Sequence, residues 1–220
     1  MTPTRSFLQK RVSNLALFIL LPAVFCATPA GGQHLVGVRG GYALSGIDFQ
    51  RNDAPTNIHT PVNFSLLYTY YHPMWKMFPY FGIQTGVSYV EHGFTMPDGD
   101  AEWMGIPASP RYRLLSVPLV SQFHIDFWKM RLLFNVGAFG GYRFGANYKY
   151  DCYDIRPDYG YIGGGGLAVR MKPFEFHLEC NYQYSLSMLF NPRKMSNAYF
   201  IYVYPHHLTF SFGLFFQLGK

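Results

Sequence analysis

From residue 33 onward the chain alternates rather than winds. No window keeps a helical period, whereas several stretches of roughly ten residues switch between apolar and polar at every step, the period of a strand with two unlike faces. The clearest is Phe174 to Tyr184. Phe174, Phe176, Leu178, Cys180, Tyr182 and Tyr184 fall on one face, and Glu175, His177, Glu179, Asn181 and Gln183 on the other. The last strand repeats the pattern, with Leu208, Phe210, Phe212, Leu214, Phe216 and Leu218 opposite Thr209, Ser211, Gly213, Phe215 and Gln217. The faces without large apolar side chains hold Gly, Ser, Asn, Gln, Glu and Arg, too polar and too small for a sandwich core. Apolar outside and polar inside is the pattern of a membrane-spanning barrel.

The same reading predicts further strands near Leu35 to Leu44, Val62 to Tyr71, Tyr80 to Val90, Tyr112 to Ile125, Leu132 to Phe144 and Tyr159 to Met171. Long connections (about Ile47 to Pro61, Glu91 to Arg111, Gly145 to Asp158, Ser187 to Pro205) alternate with short ones (His72 to Pro79, Asp126 to Met130, Lys172 to Pro173). Outer-membrane barrels keep short turns in the periplasm and long loops outside, so an even strand count with both termini periplasmic is expected. The fold class is all-β: an eight-stranded antiparallel up-and-down transmembrane β-barrel over residues 33–220.

Composition agrees, because 14% charged and 19% aromatic residues suit neither a soluble globule nor a disordered chain. Residues 1–32 read as a cleaved signal peptide. Arg5, Lys10 and Arg11 precede an apolar run, Leu15 to Val24, that ends in small residues, with cleavage after Ala30 or Gly32. The run is about half of the roughly 20 residues a spanning helix needs, and Phe25 before Cys26 argues against a lipid anchor. Losing those three cations lowers the formal charge from +6 to about +3, too little to argue for nucleic acid as a partner. Of the remaining cysteines, Cys152 lies in a Tyr/Asp-rich loop and Cys180 within a strand, so a bridge between them is not expected.

Aromatic residues gather at strand ends: Trp75, Phe78, Tyr80, Phe127, Trp128 and Phe174 by the short turns, and Tyr159, Tyr161, Tyr182 and Tyr184 toward the long loops. These predict two interfacial girdles. If the turn at Lys172 and Pro173 sets the register, Arg170 faces Glu175, Gly166 faces Glu179, and Gly163 lies across from Tyr182. Arg39, Arg143, Arg170, Glu175, His177 and Glu179 are then expected to form a charge network that fills the lumen, since eight strands enclose a space side chains can occupy. Glu175, His177 and Glu179 are also metal-ligand types, but alternate residues of one strand do not readily close a coordination sphere. No metal and no cofactor is expected.

The run Gly163 to Gly166 lacks the following helix and the Lys-Ser/Thr pair of a phosphate loop and reads as strand. No nucleophile elbow or paired-histidine helix is present, and His206 and His207 read as solvated residues beside the outer end of the last strand, so no enzyme is expected. In the long loops Trp103, Met104, Tyr148, Tyr150, Tyr153, Tyr199 and Tyr202 stand among Arg111, Arg113, Lys149, Arg156, Arg193 and Lys194. That mixture suits lipopolysaccharide phosphates or a protein partner, and equally a general neutralisation of anionic headgroups.

The opening strand Val36-Gly-Val-Arg-Gly-Gly-Tyr-Ala-Leu-Ser45 resembles the PorT-like outer-membrane β-barrel family of the Bacteroidota. So do Leu114-Leu-Ser-Val-Pro-Leu-Val120, Asn135-Val-Gly-Ala-Phe-Gly-Gly-Tyr142 and Asp158-Tyr-Gly-Tyr-Ile-Gly-Gly-Gly-Gly166. The C-terminal stretch resembles the signal read by barrel-assembly machinery, carried by Ser211, Gly213, Phe216 and Leu218, although the chain ends Gly219-Lys220 rather than in an aromatic. The resemblance implies outer-membrane lipid, lipopolysaccharide and that machinery as partners. It leaves three roles open: a structural or surface-binding barrel, an accessory of a protein-secretion system, and a lipid-active enzyme or small pore.

Overall fold

Eight antiparallel strands pair each with its sequence neighbour, and the first pairs with the last, so the sheet closes into a barrel. The computed structural model describes residues 32–49, 55–72, 80–96, 106–194 and 202–218. The strands are β1 (Gln33–Phe49), β2 (Thr56–His72), β3 (Tyr80–Thr95), β4 (Arg111–Phe127), β5 (Met130–Ala146), β6 (Pro157–Met171), β7 (Phe174–Ser185) and β8 (Val203–Leu218). Closure leaves no strand edge with unpaired backbone groups, the condition for crossing lipid with strands.

All eight expected strands are present, and the expected faces hold. Along β4 buried and exposed residues alternate almost without a break from Arg111 to Ile125. In β7 Glu175, His177, Glu179, Asn181 and Gln183 point inward and are buried, while Leu178 points out at 63% exposure. The register set by the Lys172–Pro173 turn is also as expected, with Arg170 opposite Glu175, Gly166 opposite Glu179 and Gly163 opposite Tyr182.

The outer ends differ. Where loops were expected at Ile47 to Pro61 and up to Pro205, β1 runs on to Phe49, β2 starts at Thr56 and β8 starts at Val203. A spanning strand needs about 9–11 residues, and most of these have 15 to 17, so the barrel wall projects past the hydrocarbon. There the outward positions carry Asp48, His59, Glu91, Arg111 and Arg113, and the alternation that marks a strand in lipid is lost. A bulge adds to this: Gly41 pairs with Asn63 but Ala43 with Thr60, so Pro61 and Val62 together oppose Tyr42. Pro61 has no N–H to give the ladder, which places the bulge there.

Outward Phe127, Trp128 and Phe174 lie at the short-turn end, and Tyr159, Tyr161 and Tyr182 at the other, as girdles require. Cys152 and Cys180 are unbridged. Residues 1–31 of the signal peptide read at 1–32 lie outside the described residues. So do Trp75, Phe78, Trp103, Met104, Tyr199 and the side chain of Tyr80.

Candidate functional site

The lumen is filled in two separate blocks. The lower block begins at the β4–β5 turn, where Trp128 and Lys129 bring Asp126 opposite Arg131. Arg131 is 2% exposed. It donates from Nε to Asp126 Oδ1 at 2.8 Å and from Nη1 to Glu175 Oε2 at 3.2 Å, and its guanidinium lies 4.5 Å over the Tyr71 ring. Gln33 joins from β1, donating to Glu175 Oε1 at 2.9 Å. His177 bridges the two acids of its own strand, with its ring nitrogens 3.4 Å from Glu175 and 3.3 Å from Glu179. Glu179 accepts from Arg39 Nη1 at 2.9 Å, from Asn135 at 2.9 Å and from Asn181 at 3.0 Å. The hydrogen bonds continue from Asn135 through Gln122 to the Tyr71 hydroxyl.

This is a ladder of opposite charges from Arg39 down to Asp126. Each acid has a guanidinium, so the burial cost is offset pair by pair. The ladder holds Arg39, Glu175, His177 and Glu179 as expected. Arg170 belongs to it through another partner: although it stands opposite Glu175, its Nη1 donates to Asp126 Oδ2 at 2.8 Å and its Nη2 to the Trp128 carbonyl at 2.9 Å. Arg131 takes Glu175 instead. Arg131, Asp126, Gln33 and Asn135 were missed, and the two-residue β4–β5 turn was the signal that pairs the first two.

Arg143 is a correction. It is inward and buried, but it sits twelve residues along β5 from Arg131, about 40 Å of strand at ~3.3 Å per residue, and forms no part of the ladder. Its partners belong to the outer end: Asp158 at 2.9 Å, Ser187 Oγ at 3.0 Å, and the carbonyls of Ile155 and Met188 at 2.8 and 3.0 Å. It thereby pins the β5–β6 and β7–β8 loops to the wall.

The described parts of those loops fold inward as a plug. Leu189 and Phe190 pack with Ile47, Phe94, Ile106 and Tyr112 into one apolar cluster, with Tyr148 against it. Lys194 ties the plug down, its Nζ 2.7 Å from Asp154 and 3.2 Å from Asp151 and 4.5 Å over the Phe190 ring. Burial pushes the Asp151 carboxyl up, but the Tyr153 backbone N–H and Lys194 outweigh it and hold the group below its ordinary value. Burial raises the Tyr148 and Tyr150 phenols. Among the aromatic and basic loop residues expected to make contacts, Tyr148 and Lys194 are thus structural, and Tyr150 is partly so, donating to the Gly145 carbonyl at 3.0 Å. Tyr153 and Arg193 stand exposed.

His207 is a second correction. It lies within β8, points inward and is 1% exposed, with its ring edge-on to His92 at 4.2 Å. Its neighbour His206 points outward, 3.7 Å from Asp48. In the same strand Ser211 and Gly213 face the lumen while Phe216 and Leu218 face out. Phe216 meets Phe174 edge-on at 5.5 Å.

The sequence matches the family described as outer membrane protein beta-barrel domain over residues 30–191. Among solved structures it is similar to Neisserial surface protein A, with 10% identity, TM-score 0.48, 86% of this chain and 99% of that one covered. The translocator domain of the autotransporter NalP from Neisseria meningitidis is more distant, with 8% identity and TM-score 0.33, covering 96% and 98%. No curated protein matches the sequence.

Proposed function

This chain belongs to the family of outer membrane protein β-barrel domains, and we propose that it works there as a non-conducting barrel that presents its loops at the cell surface, in a structural or surface-binding role. The supporting observation is that the lumen is filled twice, by the ion ladder below and by the apolar plug above, which leaves the loops as the accessible chemistry. In this reading residues 1–32 are a cleaved signal peptide, both termini are periplasmic, Ser211, Gly213, Phe216 and Leu218 are read by the assembly machinery, and the protein is no enzyme. Outer-membrane fractionation with planar-bilayer recording tests it. We expect recovery with outer membranes and silent bilayers; soluble protein or unitary conductance overturns the reading.

The second reading, an accessory of a secretion system, draws on the PorT-like sequence stretches. It needs a docking surface, and the structure narrows where to look, because replacing Tyr148 or Lys194 would loosen the plug as well as any contact. Tyr153→Ser with Arg193→Gln alters exposed positions only. Loss of cross-linked partners in that variant, with normal assembly, favours the accessory role. An unchanged partner set favours the structural one.

A further inference from the structure

The outer half of the lumen, between ladder and plug, is built differently from the lower half. Buried polar atoms without a hydrogen-bond partner gather there: both ring nitrogens of His92, Nε2 of His207, Oε1 of Gln183, Oδ1 of Asn63 and the Tyr112 hydroxyl. His92 is 0% and His207 1% exposed. Tyr112 stacks on His92 at 5.2 Å with the rings 11° from parallel. Asn63, Gln183 and His207 line a cavity of about 20 Å³, floored by Arg39, Asn181 and Ser211. Leaving such atoms unpaired is costly; Asn63, Gln183 and His207 line this one cavity, with His92 edge-on to His207 and Tyr112 stacked on His92, and that grouping points to an occupant.

The chemistry of the free groups defines that occupant. Arg39 is committed to Glu179 and Arg143 to Asp158, so an ion entering between them would find no counter-charge of its own. Apart from Arg143 Nε and Asp158 Oδ2, which lack a hydrogen bond but belong to one ion pair, what remains unpaired is neutral: imidazole nitrogens, amide oxygens and phenols, beside a stacked aromatic pair. Mixed donors and acceptors next to a ring face match hydroxyl groups on a short carbon skeleton.

We propose that the outer half of the lumen is a binding chamber for a small neutral polyhydroxylated ligand of the sugar class, with the loop plug as its lid. As closed, the cavity has the scale of a single water. A ligand therefore takes the place of Leu189 and Phe190, whose loop is held down by the Lys194 side chain and by the Asn191 N–H donating to the Tyr153 carbonyl at 2.7 Å. The mouth lies among the long loops, on the side open to solutes. The inference rests on the non-conducting, surface-presenting reading above.

The test uses the full chain in lipid nanodiscs with ¹⁵N-labelled histidine, and glucose, inorganic phosphate and ammonium as separate probes. Glucose should shift the ring signals of His92 and His207 and leave those of His34 and His59 unmoved. In Lys194→Met the apparent Kd should fall roughly tenfold, because a looser lid raises the competent fraction. Gln183→Leu removes a lining acceptor and should weaken the glucose response with the barrel intact, which keeps the test open if Lys194→Met fails to assemble. Rings unmoved by glucose in every protein, or moved as much by phosphate or ammonium, overturn the chamber; equal affinity with and without Lys194 overturns the lid. Conductance from the same preparation separates the two readings. Silent bilayers with unmoved rings reject the chamber alone, whereas a pore rejects the non-conducting barrel.

Discussion

Leu178→Arg puts a charge on the lipid face of β7, where Leu178 stands between Leu167 of β6 and Phe212 of β8, all three outward and exposed. The cost depends on depth. Leu178 lies five residues past Pro173 at the short-turn end. At ~3.3 Å per residue and a tilt of ~40°, each residue climbs about 2.5 Å, which puts Leu178 about 13 Å up an apolar band ~25 Å tall. That is the midplane, where an arginine costs ~2–4 kcal/mol. Tyr182, four residues further along the same face, lies about 10 Å higher, close to the outer interface, where the same change costs ~0–1 kcal/mol. Equilibrium unfolding of Leu178→Arg and Tyr182→Arg in phospholipid vesicles, followed by tryptophan fluorescence, should therefore separate them by about 1–4 kcal/mol, with Leu178→Arg the costlier. Equal costs, or a larger cost at Tyr182, would refute the depth assignment and with it the placement of the membrane on the strands.

Glu179→Leu strips Arg39 of its carboxylate and should destabilise by about 3–5 kcal/mol, while Arg39→Leu with Glu179→Leu should cost much less than the two single changes added, a difference read from a double-mutant cycle. Gly164→Ala would bring a Cβ to 2.3 Å from the Cys180 carbonyl, whereas Gly163→Ala meets nothing within 4 Å. The first should lose about 1–3 kcal/mol through overpacking and the second almost nothing, as unfolding midpoints will show. Asp151 titrates below its ordinary value of about 3.9, so its contribution to the plug is complete above that pH and is lost as the pH falls through the lower, folded-state value. Amide exchange at Tyr153 should accordingly stay slow from neutral pH down to about 4 and accelerate below it, once intrinsic acid effects are corrected.

How much the sequence discloses depends on where each residue stands relative to lipid. Within the membrane band, outward positions must be apolar, so β7 and β8 are legible residue by residue, and a two-residue turn converts that into a register. Past the band the constraint lapses. Asp48, Pro61 and His206 interrupt the pattern, and the outer ends of β1, β2 and β8 looked like loops although they are strands. The ladder was half legible for a related reason. Glu175, His177 and Glu179 share one alternating run, so their common face can be read, whereas Asp126 fell in the expected short connection and Arg131 between it and the next expected strand. Parity tells which side of the wall a residue faces but not its height, which is why Arg143 could be grouped with the ladder although it lies about 40 Å along β5 from the ladder's Arg131.

The ladder also bears on why a lumen filled by side chains should hold charges at all. A buried ion pair contributes little net stability compared with apolar residues of the same volume, so stability alone does not account for Arg39, Arg131, Glu175 and Glu179. Register does. A one-residue slip of β7 against its neighbours exchanges its faces, turning Glu175, His177 and Glu179 toward hydrocarbon and Phe176 and Leu178 into the polar interior, while Arg39 and Arg131 lose their carboxylates. Each stranded arginine then costs about 3–5 kcal/mol, and an apolar ladder would carry no such penalty. Replacing Arg39, Arg131, Glu175 and Glu179 together with leucine should therefore leave the unfolding midpoint near that of the native barrel yet allow mixed registers. Cysteine pairs report this directly: Leu178→Cys with Phe212→Cys cross-links in the native register, and Leu178→Cys with Ser211→Cys only after a slip. If the second pair stays uncross-linked in the all-leucine lumen, the ladder does not set the register, and its charges need another explanation.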